Sequence, residues 1–169
     1  MYASKILMEA FPNVHLLGAF IVSLTVVYRQ KALYPIYVFI ILLGIFNGFA
    51  LWWIPYLYIW AVLWLFTMLI PQRWPKKVKY VLYPVVSALH GFLFGTLYAP
   101  AQALLFHFNF EKTIKWIIAG LPWDCVHGIS NLICGIIFIG PLIYVYRKLS
   151  GDTQTKPQAN PKTESKIES

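Results

Sequence analysis

Residues 121–131 read LPWDCVHGISN and concentrate the side chains of this chain that could do chemistry. On a helix, Asp124, His127 and Asn131 share one face. A carboxylate, an imidazole and a carboxamide placed there could hold a ligand by charge and hydrogen bonds. Asp124 and His127 could equally serve as an acid/base pair. A structural role is as open. Pro122 suits the first position of a helix, and an acid two residues later favours the positive end of the helix dipole. A polar residue can also be glue between membrane helices. The next residues are ICGIIFIGPLIYVY, apolar enough to lie in lipid, where ionisable groups are costly and by default mark function.

Composition sets the elements that must position this face. Of 169 residues, 59% are hydrophobic, 18% aromatic and only 12% charged, against about 25% charge in a soluble domain. Several apolar runs approach or exceed the ~20 residues that cross a bilayer as a helix. The expected fold is an all-α integral membrane protein: a compact bundle of five to six transmembrane helices over residues 1–149. Residues 150–169 are polar, contain proline and read as a disordered cytoplasmic tail. The net charge of +8 does not imply nucleic acid, because no contiguous basic face exists.

Apolar segments fall at about 14–28, 32–51, 55–70, 80–106 and from about 116 or 122 to 146. Basic clusters separate them: Arg29 and Lys31; Arg73, Lys76, Lys77 and Lys79; Arg147 and Lys148. Alternating passes put all three clusters on one side, which the positive-inside rule makes cytoplasmic. This gives five passes, a short external start and an internal C-terminus. Residues 1–12 are too short to span unaided and would form a stub or half-helix. The opening MYASKILMEAFPNVH lacks the apolar core and cleavage site of a signal peptide.

The same orientation gathers Asn13, His15, Trp52, Trp53, Tyr56 and Tyr58 at the outer face. His107, Trp116, Trp123, Asp124, His127 and Asn131 join them. Aromatic walls with a few oriented polar groups suit a ligand pocket. In WWIPYLYIW (52–60) an interfacial belt accounts for Trp52 and Trp60. Trp53 and Tyr56 are the pocket candidates, because a break at Pro55 lets them turn inward and stack on a flat ligand. His15, in an irregular FPNVH turn, can cover such a pocket. His90 reads as a hydrogen-bonded packing residue and His107 as interfacial.

Gly44 and Gly48, Gly91 and Gly95, and Ala19 and Ser23 have the small-xxx-small spacing that lets helices approach closely. Cys125 and Cys134 lie about 13 Å apart along a helix, too far for a disulfide, and read as buried structural thiols. There is no metal-ligand pattern, no Gly-rich phosphate loop and no convincing nucleophile. No catalytic residue, metal or cofactor is therefore assigned.

Four stretches, FPNVHLL, YLYIWAVLW, LHGFLFGTLYAPAQALL and WIIAGLPWDCVHGISNLICGIIFIGPLIYVYRKL, carry a family likeness. Together they resemble the substrate-binding S components of energy-coupling factor transporters, over most of residues 11–149. The most specific part is G-L-P-W-D-x-x-H-G-I-x-N, ending in G-P-L-I-Y. The resemblance implies a small helical bundle in the plasma membrane of a prokaryote, with a cytoplasmic C-terminus. It implies capture of a vitamin-like micronutrient at the outer face, and partners comprising a transmembrane coupling subunit and two cytoplasmic ATPases. No chemistry is done by the component itself. Carried onto this chain, the resemblance implies a pocket at Asn13, His15, Trp116, Trp123, Asp124, His127 and Asn131. It implies docking through Ala19 and Ser23. Two other classes stay open: an intramembrane enzyme using Asp124 and His127 on a lipid-like substrate, and a structural subunit whose aromatics are only belts. Abundant Trp and Tyr suit a ring-bearing ligand such as a flavin, thiamin-like or corrin compound.

Overall fold

A computed structural model describes Met1 and residues 16–151. Asn13 and His15 fall outside the described residues, as does the tail from residue 152. The described chain is all helix and turn. Its helices are α1 (Leu17–Tyr28), α2 (Leu33–Asn47), α3 (Tyr56–Met68), α4 (Lys76–Phe92), α5 (Phe94–Phe106) and α6 (Phe110–Leu149). Four helical stretches are long and apolar enough to cross a membrane: Leu17–Asn47, Leu51–Met68, Lys76–Leu105 and Phe110–Leu149. Their outward faces stay apolar, with Val38, Ile45 and Ile136 all exposed. Helices apolar on every side belong in a large core or in lipid. The chain thus reads as a multi-pass membrane protein.

The first stretch is bent. A 3-10 turn, Arg29–Ala32, separates α1 from α2, and Arg29 takes a left-handed φ of 53°. Hydrogen bonds then fix the register. The Trp64 indole N–H donates to the Arg29 carbonyl at 3.0 Å, the Tyr37 hydroxyl to Leu57 O at 3.0 Å and the Trp53 indole to Ile40 O at 2.7 Å. So α2 and α3 run antiparallel. On the other flank α1 lies parallel to the second half of α6. The Ser23 hydroxyl donates to Ile139 O, and the Tyr28 hydroxyl to Tyr146 O. Ala19 and Ser23 are both buried there.

The α4–α5 pair runs antiparallel to α6, and glycine makes that contact possible. A Cβ on Gly91 would stand 2.8 Å from Gly128 Cα, and one on Gly135 2.9 Å from Pro84 Cα. Backbone meets backbone at these points, as small residues permit in membrane helices. The Gly44/Gly48 pair does something else. Gly44 lies beneath the Phe49 ring, and Gly48 ends α2 at a φ of 85°, so this pair shapes a turn rather than a helix crossing.

The fourth segment breaks at Leu93, between α4 and α5, while Pro84 and Pro100 lie inside helices. Two expectations change. The last helix begins at Phe110, where the Asn109 side chain accepts from the Lys112 N–H at 2.8 Å; Pro122 is therefore in its interior. Cys125 is exposed, and only Cys134 is buried. The three basic clusters do converge at one end. Arg29 Nη2 donates to Met68 O, and Lys76, Lys79 and Arg147 line one cavity.

The glycine crossing makes a paired prediction. Gly91→Ala should destabilise the detergent-solubilised protein by about 1–3 kcal/mol through overpacking. Gly120→Ala, where a Cβ meets nothing within 4 Å, should be neutral or stabilise by up to about 1 kcal/mol. Thermal unfolding of the two variants side by side measures this.

Candidate functional site

Asp124, His127 and Asn131 do share one face of α6, and all three are buried. Each meets the α4–α5 pair. Both carboxylate oxygens of Asp124 lie 3.0 Å from the Gly95 backbone nitrogen and accept its N–H. Gly95 sits at the start of α5, where helical N–H groups lack intrahelical partners. Asp124 thus caps a helix, but not its own. No cation pairs with it among the described residues; the compensating charge is the positive end of the α5 dipole. A Cβ on Gly95 would fall 2.6 Å from Asp124 Oδ2, so the bond requires glycine.

Two turns along, Asn131 Nδ2 donates to Ser87 O at 3.2 Å. Between these bonds the His127 ring lies 4.8 Å from that of Phe94. The facing stripes are Ser87, Gly91 and Gly95 on one side and Asn131, Gly128 and Asp124 on the other.

Above this joint stands an aromatic cluster. Tyr56 meets Trp52, Trp60, Phe94 and Tyr98, mostly edge to face, with centroids 5.7–6.4 Å apart. Trp116 stacks on Tyr98 at 6.0 Å with the planes 23° apart. The Tyr98 hydroxyl donates to Trp52 O at 2.8 Å and that of Tyr58 to Leu97 O at 2.6 Å, tying α5 to the start of α3. Trp53 is part-buried and packs edge-on against Phe49 at 5.0 Å. Trp60, expected in a belt, is only 2% exposed. Trp123 is 59% exposed and faces away from the joint.

Four polar atoms in this region are buried with no hydrogen-bond partner among the described residues: Trp60 Nε1, His90 Nδ1, Ser87 Oγ and Asn131 Oδ1. They fall in two neighbouring pairs. The rings of Trp60 and His90 are 5.5 Å apart, and Ser87 Oγ and Asn131 Oδ1 both border Gly18. The other nitrogen of His90 is engaged, 3.0 Å from Ile59 O. Unpaired buried polar groups are few in native interiors. Among the described residues no three His, Cys, Asp or Glu side chains come together as a metal site would need.

From Tyr146 to Asp124 the helix rises about 33 Å, close to the ~30 Å hydrocarbon core of a bilayer. The joint and cluster therefore lie one membrane thickness from the basic end. Beyond them α5 and the start of α6 continue as a hairpin.

Of the residues singled out from the sequence, the structure brings Tyr56, Trp116, Asp124, His127 and Asn131 into this region. Ser87, Phe94 and Tyr98 join them without having been singled out, and Gly95 had been noted only for its spacing. The Gly91–Gly95 spacing was visible, but not the N–H that it exposes. Comparison with family models, curated proteins and solved structures finds no match.

The joint yields a prediction. Asp124→Ala leaves the Gly95 N–H buried without an acceptor and should cost about 1–3 kcal/mol. Asp124→Asn keeps one acceptor oxygen and should cost less. Amide exchange over residues 94–98 should quicken in the alanine variant and stay slow in the asparagine one.

Proposed function

We propose that this chain is a membrane-embedded binding subunit that captures a ring-bearing micronutrient at its aromatic end, as an S component of an energy-coupling factor transporter does. The carrying observation is the group of unpartnered polar atoms beside the aromatic cluster. Trp60 Nε1 is a donor, Asn131 Oδ1 an acceptor, and Ser87 and His90 can be either. Ring walls with a mixed donor and acceptor set suit a flat, polar heterocycle. The G-L-P-W-D-x-x-H-G-I-x-N motif supports the same reading.

In this reading α1, α2, α3, the α4–α5 pair and α6 each cross the membrane once, and the basic end faces the cytoplasm. Tyr56, Tyr98 and Trp116 wall the pocket, and Asn131 and His90 stand at its floor. The resemblance adds Asn13 and His15, which lie outside the described residues. Asp124 holds the joint on which the walls depend. Transport would need a coupling subunit and ATPases, since this chain carries no nucleotide-binding loop. The resemblance assigns docking to Ala19 and Ser23, both of which are buried in this chain.

The test is mass spectrometry of small molecules retained by the purified protein, followed by titration with a panel of B vitamins. One compound bound near one per chain, unchanged on release, is the expected result. Trp116→Ala should weaken it by about tenfold; Tyr56→Ala should weaken it as well, but by removing the ring at the centre of the cluster it should also lower thermal stability by about 3 kcal/mol or more. A converted compound would instead make the protein an enzyme. Binding nothing on the panel would contradict this reading.

A further inference from the structure

A groove of about 410 Å³ runs between the outward faces of α4 and α6. Tyr80, Pro84 and Val85 form one bank, and Ile136, Ile139 and Gly140 the other. Its floor is the close approach of Gly135 to Pro84. Its width comes from Gly140, where a Cβ would meet only the Tyr80 ring, at 3.8 Å. The walls are hydrocarbon and open sideways; Ile136 is 66% exposed.

Toward its basic end lies a second cavity, of about 80 Å³, with Tyr80 a wall of both. Lys76, Lys79 and Arg147 line this smaller cavity. Lys79 spends one N–H on Gln72 O, at 2.7 Å, and an ammonium has three. Neither carboxylate of residues 16–151 answers these charges: Glu111 pairs with Lys115, and Asp124 caps α5. The N-terminus of α4 begins at Lys76 without a side-chain cap, which adds a positive dipole end to the charged groups already there.

Cations thus line a cavity next to a hydrocarbon groove, at the level where a cytoplasmic headgroup would lie. We propose that this composite site binds one anionic phospholipid. Its phosphate sits among Lys76, Lys79 and Arg147, and one acyl chain lies along the groove past Gly140 toward Gly135. From Leu132 to Gly140 the α6 bank rises about 12 Å, under half of the ~30 Å core, as a chain from one leaflet requires. Basic pockets between helices on the cytoplasmic side are suited to anionic headgroups. A partner helix would fill the groove but leave the cations unanswered. Inorganic phosphate would do the reverse. The site needs only that the chain sits in a membrane, and is independent of what the aromatic end binds.

The experiment is native mass spectrometry of the full chain in neutral detergent. It is titrated with phosphatidylglycerol, with phosphatidylcholine of the same acyl chains, and with inorganic phosphate. Phosphatidylglycerol should bind one per chain and at least about fivefold tighter than phosphatidylcholine. Replacing Lys76, Lys79 and Arg147 by Gln should cost about fivefold per cation removed. Gly140→Leu fills the groove and should weaken both lipids while leaving the charge untouched. That variant stands as the test if the charge variant fails to fold. Equal retention of the two lipids, or phosphatidylglycerol binding unchanged in both variants, overturns the proposal. So does phosphate that displaces the lipid fully and ignores Gly140→Leu, which would mean a soluble-anion site. A groove that takes neither lipid belongs to a protein partner, and that too overturns it.

Discussion

The hydrogen bond from the Gly95 N–H to the Asp124 carboxylate governs the outer half of this molecule. A helix broken inside a bundle leaves N–H groups with no intrahelical acceptor, and at a buried contact no solvent replaces one. The α4–α5 break at Leu93 is tolerable because α6 supplies a carboxylate at that level. The carboxylate in turn is tolerable because it faces a helix N-terminus. Each half of the arrangement answers the cost of the other. The close approach needs glycine on both strands of the contact, at Gly91, Gly95 and Gly128. Once α5 is aimed from this joint, Phe94 lands on His127, and Tyr98 lands between Tyr56 and Trp116.

The two ends of the bundle differ in chemistry. One gathers Arg29, Lys76, Lys79 and Arg147; the other gathers indoles, phenols and buried polar atoms. About one bilayer thickness separates them along α6. A ligand at the aromatic end and a lipid at the basic end would therefore meet different surfaces of one helix pair, since α4–α5 and α6 build both.

Much of the fold was legible in the sequence because lipid imposes simple rules. Long apolar runs and basic clusters at Arg29, Lys76–Lys79 and Arg147 gave the helices and the end where they converge. The local reading of Asp124 carried the right physics and the wrong helix. A carboxylate at a helix N-terminus is indeed its role, but the terminus belongs to α5, 29 residues earlier in the chain. Spacing within one segment cannot reveal a partner on another. Pro122 misled for a related reason: proline opens helices readily, yet Asn109 supplies a stronger start at Phe110. Trp60 and Trp123 exchanged places for want of a register, since an aromatic residue suits a core or a lipid boundary equally well.

A double-mutant cycle on Asp124→Ala and Gly95→Ala tests the joint most directly. The three heavy atoms nearest a Cβ on Gly95 all belong to Asp124. In the parent, Gly95→Ala should cost about 1–3 kcal/mol in thermal unfolding. In the Asp124→Ala background it should cost almost nothing, an interaction energy of about 1 kcal/mol or more. Additive effects would mean that the carboxylate and the helix break do not depend on each other, and would contradict this account.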